Sequence, residues 1–175
     1  MTGVQTCALP ICLVTRAVEP APAAFWGTLG GLFAFAGFYN FSRSLRSGAV
    51  SILSPIFRLQ FVVTAVLALA FLGEHLSAAK SGGLALAVAS VWLLLGGTAG
   101  ARLEVPREAI GRVLFATVAV GIAFFLFKLA LRQGATPASV LLCQIAGLAS
   151  ASTALSVYLD RGFRASPAEI GRAHV

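Results

Sequence analysis

The sequence predicts an all-α fold, a polytopic membrane helix bundle of five transmembrane helices. Three observations lead there. Of 175 residues, 58% are hydrophobic and 11% charged, with a mean hydropathy of +0.91, whereas a soluble domain keeps roughly a quarter of its residues charged. The few charges cluster, and the apolar windows between them run to about 20 residues, the length that crosses a bilayer as a helix. These windows lack the strict alternation of barrel strands, and only helices and closed barrels satisfy the backbone in lipid.

The formal charge of +7 does not point to nucleic acid. A nucleic-acid binder gathers Lys and Arg into a patch or stripe. Here they stand singly or in small groups at helix ends, where they meet headgroups and set topology. Three cysteines indicate no disulfide framework.

Both ends of the chain read as sequencing adapter and are set apart from the fold. GCT CTT CCG ATC encodes Ala8-Leu9-Pro10-Ile11, and the complementary strand, ATC GGA AGA GCA CAC GTC, encodes Ile170 to Val175. Residues 1–11 and 169–175 are therefore expected to be adapter-derived, leaving Cys12 to Ala168 as native sequence cut at both ends. On this reading Cys7 and His174 carry no chemistry.

The elements follow in order. Arg16 to Pro22 is a loop. Span one covers about 23–42, and its Gly27 and Gly31 form a small-xxx-small pair that admits a close neighbour; Arg43 and Arg46 close it. Span two covers about 49–72 and is interrupted only by Arg58, with Gly73-Glu74-His75 at its exit. Ser77 is a candidate N-cap for span three, about 78–97, where Gly83 and Ala87 repeat the close-packing pattern. Residues 100–109 form a polar linker, and Pro106 suits the first turn of the next helix. Span four covers about 110–131 and span five about 138–159, opened by Pro137 and ended by Asp160.

Alternate loops place Arg43, Arg46, Arg102, Arg107, Arg112, Arg161 and Arg164 on one side, and Arg16, Lys80, Lys128 and Arg132 on the other. The positive-inside rule puts the first group in the cytoplasm.

Span two and its exit carry a family resemblance. They read GAVSILSPIFRLQFVVTAVLALAFLGEHLSAAKSGGLALAVASVWLLLGG: a small-residue start, Pro55 one turn in, Leu72-Gly73-Glu74 at the exit, then Gly83 and an apolar helix ending in Leu and Gly. This resembles the fourth and fifth helices of an EamA-type member of the drug/metabolite transporter superfamily. Span one is similar to the third helix, and spans four and five to the sixth and seventh. The resemblance implies a ten-helix parent of two inverted five-helix repeats. Residues 12–99 would end the first repeat and residues 110–168 begin the second. It also implies cytoplasmic termini, which would set the Arg-rich loops outside and oppose the charge count.

Arg58 is the sharpest candidate for chemistry. It lies near mid-bilayer, where a charge costs at least about 2.5 kcal/mol. Ser51, Ser54, Pro55 and Arg58 follow helical spacing, and this polar stripe is expected to face the bundle interior. The guanidinium could contact an anion or carboxylate, or bond a neighbouring helix's carbonyls. Tyr39, Asn40, Gln60, Thr64 and Gln144 could line a substrate path or join helices as polar glue. Lys128 snorkels or serves a cavity, Glu74 is a helix-exit residue or a proton carrier, His75 lacks a second ligand at metal spacing, and Cys143 packs.

No nucleophile–base pair, phosphate loop or metal cluster is found, so neither an enzyme nor a cofactor is expected. The reading is a secondary transporter in the cell membrane, multi-pass, for a small organic metabolite. The alternatives are a non-transporting scaffold or lipid-interacting bundle, and a truncated product without activity. The expected partners are a small-molecule substrate and the lipid bilayer, with a homodimer left open and no nucleic acid.

Overall fold

The computed structural model describes residues 24–73, 77–97 and 106–160. The ends read as adapter, Arg16, Glu74, His75, Arg102, Arg161, Arg164 and the linker up to residue 105 lie outside the described residues. Six helices follow: α1 (Phe25–Ser47), α2 (Val50–Arg58), α3 (Gln60–Leu72), α4 (Ala78–Gly97), α5 (Arg107–Arg132) and α6 (Pro137–Asp160). Since α2 and α3 are halves of one interrupted span, these are the five expected helical segments. Among the described residues there is no strand.

Three segments are long and apolar enough to cross a membrane: Val50–Leu72, Arg107–Arg132 and Pro137–Leu159. Ala78–Leu93 is a shorter apolar helix. α1 has the length, but Gly27, Gly30, Gly31 and Gly37, with Tyr39 and Asn40, dilute its apolar character. Those glycines serve packing instead.

Turn chemistry sets most boundaries. Gly73 adopts φ 59° and caps α3, a left-handed conformation that glycine enters without a Cβ clash. The Lys80 amide donates to Ser77 Oγ at 3.4 Å, the N-cap bond expected of Ser77. Between α5 and α6, Gly134 (φ 88°) lets the Ala135 amide reach Ala130 O at 3.1 Å and its own amide reach Leu131 O at 3.1 Å. That pair of bonds is a Schellman closure.

Two boundaries shift from expectation. α1 runs to Ser47 rather than Ser42, because Arg43 and Arg46 can stay helical while their long side chains reach water, and a cation suits a helix C-terminus. α5 starts at Arg107 rather than Ile110. Pro106 sits before the first turn as N-cap, its carbonyl accepting from the Ala109 amide at 2.9 Å. Glu108 follows in the first turn, ion-paired to Arg112.

α5 is central and is buried along its length from Ala109 to Ala130, mostly through small residues. At one end Leu53 and Phe57 of α2 pack with Ala109, Val113, Ala116 and Val120, supported by Phe41 and Leu45 of α1. At the other, Ala130, Ala135 and Val140 pack with Trp26 and Phe127. α1 therefore runs antiparallel to α5 and parallel to α6, while α2 and α3 run parallel to α5. Arg132 Nη1 donates to Leu72 O at 2.7 Å, satisfying a carbonyl at the end of α3.

The expected close approach at Gly27 and Gly31 is present, and α6 is the neighbour. A Cβ on Gly27 would run into Val140 O, one on Gly31 into Gln144 O, and one on Gly147 into Thr28 O. The matching pattern in α4 does not behave so. Gly83 has no neighbour within 4 Å, and Leu86, Trp92 and Leu93 are exposed. Among the described helices α4 packs mainly against α2, so its small-residue face meets nothing.

The described cations keep their expected grouping, with Arg43, Arg46, Arg107 and Arg112 at one end and Lys80, Lys128 and Arg132 at the other. The α1–α6 seam yields a direct expectation. Gly31→Leu should lower resistance to unfolding in SDS by about 1–3 kcal/mol, the cost of overpacking, whereas Gly83→Leu should change it by less than about 0.5 kcal/mol. Equal effects of the two substitutions would remove the seam from the account.

Candidate functional site

The interruption between α2 and α3 is where span two departs from a plain helix. Pro55 has no amide to donate to Ser51, and its ring crowds that carbonyl. One turn on, the Leu59 amide turns to Ile56 O at 3.0 Å, a tightened i→i−3 bond. The neighbouring helix holds this geometry. Thr117 Oγ1 of α5 donates across to Ile56 O at 3.3 Å as well as to Val113 O at 2.8 Å. A hydroxyl competing for a ladder carbonyl is a recognised cause of a helix break.

A second threonine works in the opposite direction. Thr64 of α3 lies within 3.0 Å of both Gln60 O and Gly121 O. Each helix thus offers a hydroxyl to the other's backbone, on either side of Leu59. The helices can meet here because Gly121 lacks a side chain. A Cβ there would lie 2.6 Å from Val63 Cβ and 3.0 Å from Gln60 O.

Gln60 completes the cluster. Its Oε1 is buried and accepts no hydrogen bond. An unmet buried acceptor costs roughly 1–3 kcal/mol, so the position holds polarity in reserve. Arg58 ends α2 beside it. The expected inward orientation of the Ser51–Ser54–Arg58 stripe is not met among the described helices. Leu53 and Phe57 form the buried face of α2, while Ser51 and Arg58 are exposed and Ser54 and Pro55 half-buried. Sequence spacing placed these groups on one face. The bulkier apolar pair, one residue out of phase, won the contact with α5.

The remaining expected residues lie elsewhere. Asn40 Nδ2 donates to Ala36 O of its own helix at 2.8 Å. Tyr39 stacks on Phe35 and lies under the Arg43 guanidinium, 5.8 Å from its carbon. Gln144 sits in the α1–α6 seam, its carbonyl against Gly31, and the half-buried Cys143 packs beside Gly27. Ser54 and Arg58 lie on the face of α2 turned away from α5, Gln60 lies at the α3–α5 contact two residues past Arg58, and Tyr39, Asn40 and Gln144 lie apart from both. Thr117 and Gly121 were missed. Their four-residue spacing is the same small-xxx-small signal that marked Gly27 and Gly31. Among the described residues no group of three His, Cys, Asp or Glu could hold a metal.

Comparison with known proteins agrees with the helical pattern. The profile of the EamA-like transporter family matches residues 3–96, more than half of the chain. The match begins within the segment read as adapter and ends in α4, before α5 and α6. No curated protein and no solved structure matches the chain.

The cluster predicts opposite signs for two substitutions. Thr117→Val should destabilise the bundle by about 0.6 kcal/mol, the mean for a membrane interhelical hydrogen bond. Gln60→Leu removes an unmet acceptor and should stabilise it by about 1 kcal/mol. Both are read from unfolding in SDS, and a destabilised Gln60→Leu protein would mean that Oε1 is satisfied.

Proposed function

Because the chain belongs to the EamA-like transporter family, we propose that it forms part of a secondary transporter that moves a small organic metabolite across the cell membrane by alternating access. It is a membrane protein by family and by its apolar helices. Multi-pass topology and the plasma-membrane location belong to the proposal.

The observation that carries this reading is the broken span with a buried, unpartnered acceptor at its break. Discontinuous helices in transporters place polar backbone and side chains at the bilayer midplane, where substrate binds between two states. Irregular backbone at that depth is tolerated only inside protein or beside water. A bundle serving only as a scaffold gains nothing from leaving Gln60 Oε1 unmet. In a transporter that atom can accept from a substrate, and the Ser54 hydroxyl can donate to it or accept from it.

Arg58 supplies the charge. Its guanidinium has no hydrogen-bond or ionic partner among the described residues, and a bare charge in hydrocarbon is far costlier than the insertion figures. A carboxylate or phosphate on the substrate would meet that need through a bidentate grip that Lys cannot copy.

Uptake into cells expressing the protein tests this reading, with labelled amino acids, organic acids and nucleosides as the panel. For the compound accumulated, Arg58→Lys should cut uptake roughly 10- to 100-fold, the range spanned by one lost charged hydrogen bond, at near-normal membrane levels. Arg58→Leu should abolish it. Normal uptake by both would remove Arg58 from the substrate site. Failure of both to reach the membrane would make it a packing residue.

A further inference from the structure

A cavity opens where the C-terminal ends of α1 and α6 meet. It has a volume of about 460 Å³ and is lined by Tyr39, Ser42, Arg43, Arg46 and Leu159. We propose that it binds a phosphate anion, carried on an anionic lipid headgroup or free in solution.

The lining follows from one helical face. Positions 39, 42, 43 and 46 are spaced i, i+3, i+4 and i+7, so the last turns of α1 present all four to the same side. Leu159, near the end of α6, forms the opposing apolar wall. The parallel run of α1 and α6, fixed by their glycine seam, brings these two ends together. The cavity thus lies between two helix ends that the fold brings side by side.

Its chemistry suits an oxyanion. Two guanidinium groups, a hydroxyl and a phenol offer donors to a common space. The Arg43 carbon lies 5.8 Å from the Tyr39 ring centre, and Tyr39 is itself stacked on Phe35. This cation–π contact holds one fork in place before any ligand arrives. The ion pair between described residues is Glu108–Arg112, and neither Arg43 nor Arg46 has a carboxylate partner among those residues. Even with Asp160 counted, the ends of α1 and α6 carry two Arg against one Asp. Basic pockets between membrane helices at headgroup depth recognise phosphate-bearing lipid heads, and Arg forks match phosphate geometry.

The test uses the full 175-residue chain in neutral detergent. Thermal unfolding is followed with added phosphatidylglycerol, with phosphatidylcholine, and with inorganic phosphate against chloride at equal ionic strength. A ligand of the folded state raises the midpoint by mass action. A rise with phosphatidylglycerol alone assigns the site to a lipid head, and a rise with inorganic phosphate assigns it to the free anion. No rise above the phosphatidylcholine and chloride controls overturns the proposal.

Variants locate the effect. Arg43→Gln with Arg46→Gln should weaken the apparent affinity about tenfold or more, and an undiminished shift in that protein overturns the proposal. Should that pair fail to fold, Arg43→Lys with Arg46→Lys keeps the charge but loses the forks, and Tyr39→Phe removes one donor. Unchanged affinity in both of these also overturns it.

Discussion

The bundle rests on backbone touching backbone. Lipid tails are as apolar as leucine, so helices in a membrane gain little from hiding apolar surface and must gain from contact itself. Dispersion is weak per atom pair and falls steeply with distance. α1 meets this constraint by deleting side chains, so that the carbonyls of Val140 and Gln144 rest where Cβ atoms of Gly27 and Gly31 would stand. With α1 seated so deeply, its other face reaches α5, where Gly30 and Gly37 lie against Ala123, Ala116 and Val120. The central position of α5, the parallel ends of α1 and α6 and the cavity between them all depend on that approach.

Much of this was legible in the sequence, and the reasons differ by element. The five helical segments follow from apolar length, because lipid leaves the backbone few alternatives. Gly73 and Ser77 act locally, so their capping roles survive any tertiary arrangement. Gly27 and Gly31 carried a correct signal, while the same signal at Gly83 and Ala87 met no partner. A small-residue pair permits an approach but does not say which helix makes it. α1 and α6 are too far apart in sequence for their partnership to be read from either.

The orientation of α2 was misjudged for a related reason. Ser51, Ser54 and Arg58 share a face, yet so do Leu53 and Phe57, and nine residues of helix support either choice. Phe57 settles it by stacking on Phe41 of α1 at 4.0 Å between ring centres. The break at Leu59 was invisible for another reason. Pro55 signals a weak point, but the Ile56 carbonyl at the interruption also meets Thr117, a residue on a different helix about sixty positions away. From sequence, the polar groups within spans suit either a path or interhelical glue. The structure divides them by partner: Thr64 and Asn40 bond to backbone, while Gln60 Oε1 does not.

The seam between α1 and α6 also imposes an order on biosynthesis. Trp26 and Gln133, hydrogen-bonded at 2.9 Å beside that seam, are 107 residues apart in the chain. At about 5–20 residues per second, a ribosome needs roughly 5 to 20 seconds to cover that interval. On the proposed multi-pass topology, α1 waits in the bilayer with its glycine face turned to lipid while the intervening helices are made. Glycine suits the delay, since it adds no polar side chain and its amides are already satisfied within the helix. The same residues that make the finished contact so close make the solitary helix a tolerable guest of the membrane until its partner arrives.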